Sequence, residues 1–257
     1  MRSGNGAASW ERAAAGSAVA ATAAIPARRN GTRFLMEGAR RDCSTPSGER
    51  HRWMFAYSID GDLRFISHHD TLRLFRRALA RADLPVRHSE GFNPHPRLMI
   101  PLPRPVGVAS CAEVIVVETE RPIDLDDALQ RLERQTPDGI RMLSARRLAS
   151  GEHLQPLQVR YRLDATDLPA AELNARVQGL IAAQVAIVER VDPKNPKGRS
   201  IDVRPFLADL RVVENGVEFT LRVSQDGTAK PAEVAGLLGY EAATINHRIR
   251  RLEVQWR

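Results

Sequence analysis

The chain has 257 residues, 43% hydrophobic, 27% charged and 5% aromatic, with a formal net charge of +7. That length suits one large core or two small ones, and the apolar fraction excludes wholesale disorder. No run of about 18 apolar residues exists, which excludes a spanning helix, and two cysteines, Cys43 and Cys111, are too few for a disulfide framework, a Cys-only zinc site or a four-Cys iron–sulfur cluster.

Residues 1–51 lack a helical or strand period and are rich in Ala, Gly, Ser and Arg, the composition of a disordered tail. Ala13–Ile25 is mostly Ala, broken by Gly16, Ser17 and Thr22, and makes a poor signal-peptide core. A translation start at Met36 is a second account of this stretch. The expected compartment is the cytoplasm, where both thiols stay reduced. The tail also explains most of the charge. Residues 1–52 hold nine Arg against four acids, leaving 29 basic and 27 acidic side chains for the remainder.

Ordered structure is expected from Arg52. Met54–Ile59 reads as a strand, Asp60-Gly61 as a tight turn and Leu63–Ile66 as the returning strand. A helix follows over His68–Ala82, with Ser67 and Asp70 in a capping-box variant. Leu72, Phe75, Ala78, Leu79 and Ala82 share its inner face, while Arg73, Arg77 and Arg81 share the opposite one. Pro85 stops it. Short strands at Val86–His88 and Arg97–Leu102 flank a Pro-rich loop. Glu113–Thr119 reads as a buried strand, Leu125–Arg134 as a helix capped by Asp124, and Ile140–Arg146 as a strand.

The second half repeats the rhythm. Leu157–Leu163 alternates as a strand with one wet face, and Pro169–Ala182 is a helix. Val185–Val191 and Ile201–Val213 are strands joined by the loop Pro193–Arg199. Asn215-Gly216 turns into the strand Val217–Val223. The helix Pro231–Leu238 closes at Gly239, and Leu252–Trp256 ends the chain as a strand. The expected class is therefore α+β, as two tandem ferredoxin-like (βαββαβ-type) units with mostly antiparallel sheets and extra hairpin strands. Residues 52–149 form the first unit and 150–257 the second. A single merged domain is the competing arrangement.

Functional groups concentrate in residues 61–110, which hold eight Arg against four acids and four of the seven histidines. The Arg73, Arg77, Arg81 face, together with Arg64, Ser67, His68 and Arg97, suits a phosphate backbone, and Phe92 would stack on a base. Gly91, Pro94 and Pro96 brace a short loop that presents Phe92, Asn93 and His95. A solvated helix face is the plain alternative. A second basic cluster is Lys194, Lys197 and Arg199, followed by Arg204. His68, His95 and Asp70 are the candidates for acid–base chemistry, without an accompanying nucleophile or oxyanion motif. The histidine and carboxylate spacing matches no metal template, and no Walker loop, dinucleotide fingerprint or three-cysteine radical SAM signature is present, so no metal or cofactor is assigned.

At Leu63-Arg64-Phe65-Ile66-Ser67-His68-His69-Asp70, at Leu84-Pro85 and at Ser89-Glu90-Gly91-Phe92-Asn93-Pro94-His95-Pro96-Arg97, the chain resembles the radical SAM-linked protein family, a bacterial domain of unknown function. Pro101-Leu102-Pro103 through Gly107, Glu113 and Asp202-Val203-Arg204-Pro205 extend the resemblance over residues 52–257. His69 and Glu90 depart from it, standing where an apolar residue and a Gln are usual. Members of that family occur beside, or fused to, a radical SAM protein, often among ribonuclease and ribosomal-protein genes. The resemblance therefore implies a companion of a radical SAM enzyme, non-catalytic on its own, binding RNA or another translation-linked substrate and no membrane. The alternatives are an RNA-processing or RNA-modifying enzyme using His68 and His95 as acid and base, and a scaffold that binds only protein.

Overall fold

The structure is a computed structural model that describes residues 50–192, 195–224 and 227–257. Residues 1–49 of the expected tail lie outside the described residues, and His51, its last residue, already belongs to the first strand. The first strand, β1 (His51–Ile59), buries every second side chain, as its alternation requires. It does not hairpin back. Gly61–Phe65 forms a 3-10 helix in place of the expected returning strand, with Asp60 accepting a hydrogen bond from the Gly61 amide. The reason is tertiary, because both edges of β1 are already taken by strands from farther along the chain.

Helix α1 (His68–Arg81) begins at Ser67, whose hydroxyl oxygen accepts from the Asp70 amide, and buries Thr71, Phe75, Ala78 and Leu79. The strands β2 (Leu98–Met99) and β3 (Ala109–Thr119), helix α2 (Leu125–Glu133) and strand β4 (Ile140–Arg147) follow. Val86–His88 contributes only isolated bridges, Val86 to Thr119 and His88 to Pro96. The strand order is β4-β1-β3-β2, with every neighbouring pair antiparallel. Phe55, Tyr57, Ile115 and Val117 pack against Phe75 and Leu79 of α1 and Ala128 and Leu132 of α2. On the opposite face Val114 and Val116 meet Leu148, Leu154 and Trp256. Two covered faces explain the unbroken Val114–Val117 run.

The second half runs β5 (Pro156–Asp164), α3 (Ala170–Ala182), β6 (Ile187–Asp192), β7 (Asn195–Asp202), β8 (Leu207–Val213), β9 (Gly216–Ser224), β10 (Gly227–Thr228), α4 (Pro231–Leu237) and β11 (Ile249–Trp256). Its order is β11-β5-β9-β8, again antiparallel throughout, with β6 and β7 a separate two-stranded arm. The strand expected over 201–213 is broken by a 3-10 helix at Arg204–Phe206. Pro205 has no amide to offer a ladder, and Asp202 Oδ1 instead accepts from the Ala186 and Arg204 amides. The expected loop 193–199 is shorter, since β7 starts at Asn195.

The two strand sets are one sheet. β11 runs parallel to β3 through Arg250 opposite Ala109 and Arg251 opposite Ser110, and the described residues form a single compact unit. The architecture is a mixed α+β fold on a mostly antiparallel sheet. No described helix is long and apolar enough to cross a membrane.

Candidate functional site

The β11–β3 seam carries two acid–arginine pairs. Arg250 Nη2 donates to Asp60 Oδ2 at 2.6 Å. Burial, the largest single influence, works to raise the Asp60 carboxyl, but the hydrogen bonds from Arg250 and the Gly61 amide, with the charges of Arg250 and Arg64, together outweigh it and hold the pKa below the ordinary carboxylate range. Arg251 Nη1 donates to Glu113 Oε1 at 2.8 Å, and both residues are about 2% exposed or less. Arg251 also donates to the Leu102 and Pro103 carbonyls and lies over the Tyr161 ring, its guanidinium carbon 5.8 Å from the centroid. The Pro101–Pro103 segment thus presents carbonyls to a buried cation, as a charge at this depth demands.

Beside this pair lies a small cleft lined by Tyr57, His68, Thr71, Ile100, Arg104 and Glu113, with internal room for about one water molecule. Tyr57 stacks edge-on against Phe75, 4.7 Å between centroids. Burial, and then the Glu113 carboxylate, push its hydroxyl well above the ordinary range, so it stays protonated. His68 is the first residue of α1 and faces the cleft. Burial, with His69 beside it, lowers its pKa and favours the neutral ring. Arg104 Nη1 donates to the carbonyls of Arg64 (2.6 Å), Pro105 (3.2 Å) and Val108 (2.5 Å).

The outward face of α1 is a different surface. Arg73, Arg77 and Arg81 are all exposed. Arg73 pairs with Asp70 at 3.2 Å, and Arg81 donates to the Gln135 carbonyl. Arg77 makes no hydrogen bond or ion pair among the described residues. The Pro-rich loop closes on itself through the Ser89 amide to the His95 carbonyl (2.8 Å) and the His95 amide to Ser89 Oγ (2.9 Å). Gly91, with φ +121°, makes the bend. Phe92 is wholly exposed, and Asn93, His95 and Arg97 are exposed beside it. Among the described residues no hydrogen bond or ion pair ties this loop to α1.

The remaining expected residues divide by role. Ser67 caps α1 and donates to Asp70 Oδ2 at 2.7 Å, so Asp70 is engaged at the helix start. Arg64 lies over the Phe65 ring and donates to the His247 carbonyl. Arg204 donates to the carbonyls of Ile181, Ala183 and Leu207, closing the end of α3. Arg199 sits in β7 opposite Arg190. Lys197 is in β7, and Lys194 lies outside the described residues. His68 faces the cleft while His95 belongs to the loop.

Sequence reasoning did not assemble Tyr57, Arg104, Glu113 and Arg251. A signal was present, because Glu113 lies in a strand buried on both faces and a carboxylate there requires a cation. The partner, 138 residues away, was not readable from spacing.

Fold and site together define a mixed α+β protein with a charged seam, a small polar cleft and a separate basic surface. Residues 52–231 match the model of a family described as an uncharacterized protein conserved in bacteria (DUF2344), and the chain belongs to that family. No curated protein matches it. A crystal structure titled as an unknown protein from Galdieria sulphuraria aligns with 81% of this chain and 99% of its own, at 12% identity and a TM-score of 0.25, too distant a likeness to carry an argument.

Proposed function

We propose that this protein is a non-catalytic RNA-binding companion of a radical SAM enzyme, acting in the cytoplasm. Each half is read as a ferredoxin-like unit, supported by the 4-1-3-2 antiparallel order that both strand sets share. The observation that carries the binding reading is the complete exposure of Phe92 on a Pro-braced, self-closed loop. A large aromatic held fully in water by a stiff loop is suited to stack on a base. Arg73, Arg77 and Arg81 supply guanidiniums for phosphates. The radical SAM link rests on the resemblance through Leu63–Asp70 and Ser89–Arg97, and on the shortage of cysteines for a cluster of its own.

The test is binding of a fluorescent single-stranded RNA to the full chain across a salt series. Log affinity should fall linearly with log salt, by about 0.7 per phosphate contacted. The Arg73→Ala/Arg77→Ala/Arg81→Ala variant should flatten that slope. Phe92→Ala should lose about 1–3 kcal/mol with the slope unchanged. RNA binding unaffected by both variants overturns the proposal, and co-purification with a radical SAM chain without RNA affinity at any salt favours a protein-only scaffold.

A further inference from the structure

The cleft at the start of α1 is electrostatically incomplete. Glu113 and Arg251 neutralise each other at 2.8 Å. Arg104, half-buried and lining the same cleft, has no carboxylate within ion-pair distance among the described residues, which leaves one positive charge over. Three carbonyl oxygens satisfy its Nη1. Its Nε and Nη2 make no hydrogen bond among the described residues. Charges taken out of water are normally paired, and a guanidinium with one edge occupied keeps a second edge for a two-pronged contact.

Two further features border the same space. Tyr57 is 1% exposed and lines the cleft, yet its hydroxyl makes no hydrogen bond among the described residues. A protonated hydroxyl that opens on the cleft without a protein partner is a donor free for an incoming acceptor. The amides of His68 and His69 lie in the first turn of α1 and have no intrahelical acceptor, whereas Ser67 already serves Asp70 and Thr71. A helix of 14 residues adds partial positive charge at that end. A surplus cation, an unmatched donor and a helix N-terminus share one requirement, an acceptor-rich negative group.

We propose that this cleft is an oxyanion site, taking one phosphate or carboxylate group against Arg104, the Tyr57 hydroxyl and the first turn of α1. Internal room for about one water means that one oxygen of the group enters, while the rest of the group and the ligand stay at the mouth. His68, held neutral beside the group, is placed to donate through its ring. The site is separate from the outward Arg73, Arg77, Arg81 face and stands whether or not that face binds RNA.

The experiment uses the full chain, titrated with inorganic phosphate and, in a parallel arm, with acetate, at constant ionic strength set with sodium chloride. Two signals are read: the His68 ring resonances by NMR and the thermal midpoint. Both should move saturably, and the anion saturating at the lower concentration identifies the group. Tyr57→Phe removes a hydroxyl that has no protein partner. It should melt normally without anion and bind the preferred anion about two- to tenfold more weakly, the loss expected for one hydrogen bond. Arg104→Gln should abolish the saturable response. General salting-in or salting-out effects act alike on all three proteins. The absence of a saturable His68 shift in the wild-type chain, or a response unchanged in Tyr57→Phe, overturns the proposal. Tyr57→Phe keeps it testable if Arg104→Gln, which loses three carbonyl contacts, does not fold.

Discussion

Replacing Glu113 by Gln probes the seam between the two strand sets most directly. The substitution keeps the shape and one oxygen acceptor but removes the charge. Arg251, 1% exposed, would then face neutral acceptors only: the new amide and the Leu102 and Pro103 carbonyls at 3.3 and 3.2 Å. Its Nε is already without a partner, and Arg104 adds like charge from the same side. Removing one member of a buried pair costs about 3–5 kcal/mol. For a domain of this size each kcal/mol lowers Tm by about 2–4 °C, so the expected fall is about 6–20 °C. Urea unfolding followed by tryptophan fluorescence, together with calorimetry, measures it. Arg251→Met leaves the opposite orphan. That variant strands a buried carboxylate without its cation and should destabilise by a comparable amount. The double variant should be less damaged than the two singles added together. A loss below about 1 kcal/mol for Glu113→Gln at neutral pH would refute the reasoning, because the pair would then behave like an exposed one.

Further outcomes are expected elsewhere in the molecule. Ser67→Ala removes the cap of α1 and should cost about 0.5–2 kcal/mol in denaturant unfolding, whereas Ser67→Asn should cost little. Gly139 has φ +97°, and a Cβ there would come within 2.9 Å of the Asp60 carbonyl oxygen. Gly139→Ala should therefore destabilise by about 1–3 kcal/mol, read as a lower urea midpoint. Asp167 accepts both Nη groups of Arg248, at 2.7 and 2.8 Å, and its hydrogen bonds from Arg248 pull its carboxyl down to about 2. The folded pKa is depressed, so the stability it adds is present above the ordinary value of 3.8 and is lost as pH falls toward about 2. Half-exposed, the pair should contribute less than about 1 kcal/mol. Acid titration of stability in Asp167→Asn should lack that component.

Local chemistry made much of the fold legible in the sequence. Alternation identified β5, β9 and the end of β11, because a strand with one buried face must repeat every two residues. Ser67 and Asp124 marked the starts of α1 and α2, because a first turn needs an acceptor for its amides. The exposed arginine face of α1 followed from the same helical period that buried Phe75, Ala78 and Leu79. The misread pieces are those in which distant chain overruled local preference. Leu63–Ile66 has strand character but finds both edges of β1 occupied, and 201–213 breaks where Pro205 cannot donate.

Local pattern could not contain the seam, the cleft or the pairings across them. Tyr57, Arg104, Glu113 and Arg251 span nearly two hundred residues, and each alone reads as an ordinary sheet or loop position. Their meeting depends on β11 returning to lie parallel to β3, a pairing of two contacts that no periodicity encodes. The sequence thus settled which faces are apolar and where helices begin, since those follow from neighbours a few residues apart. Tertiary structure alone decided which charges share a buried site, since burial turns a weak surface attraction into a requirement for a particular partner.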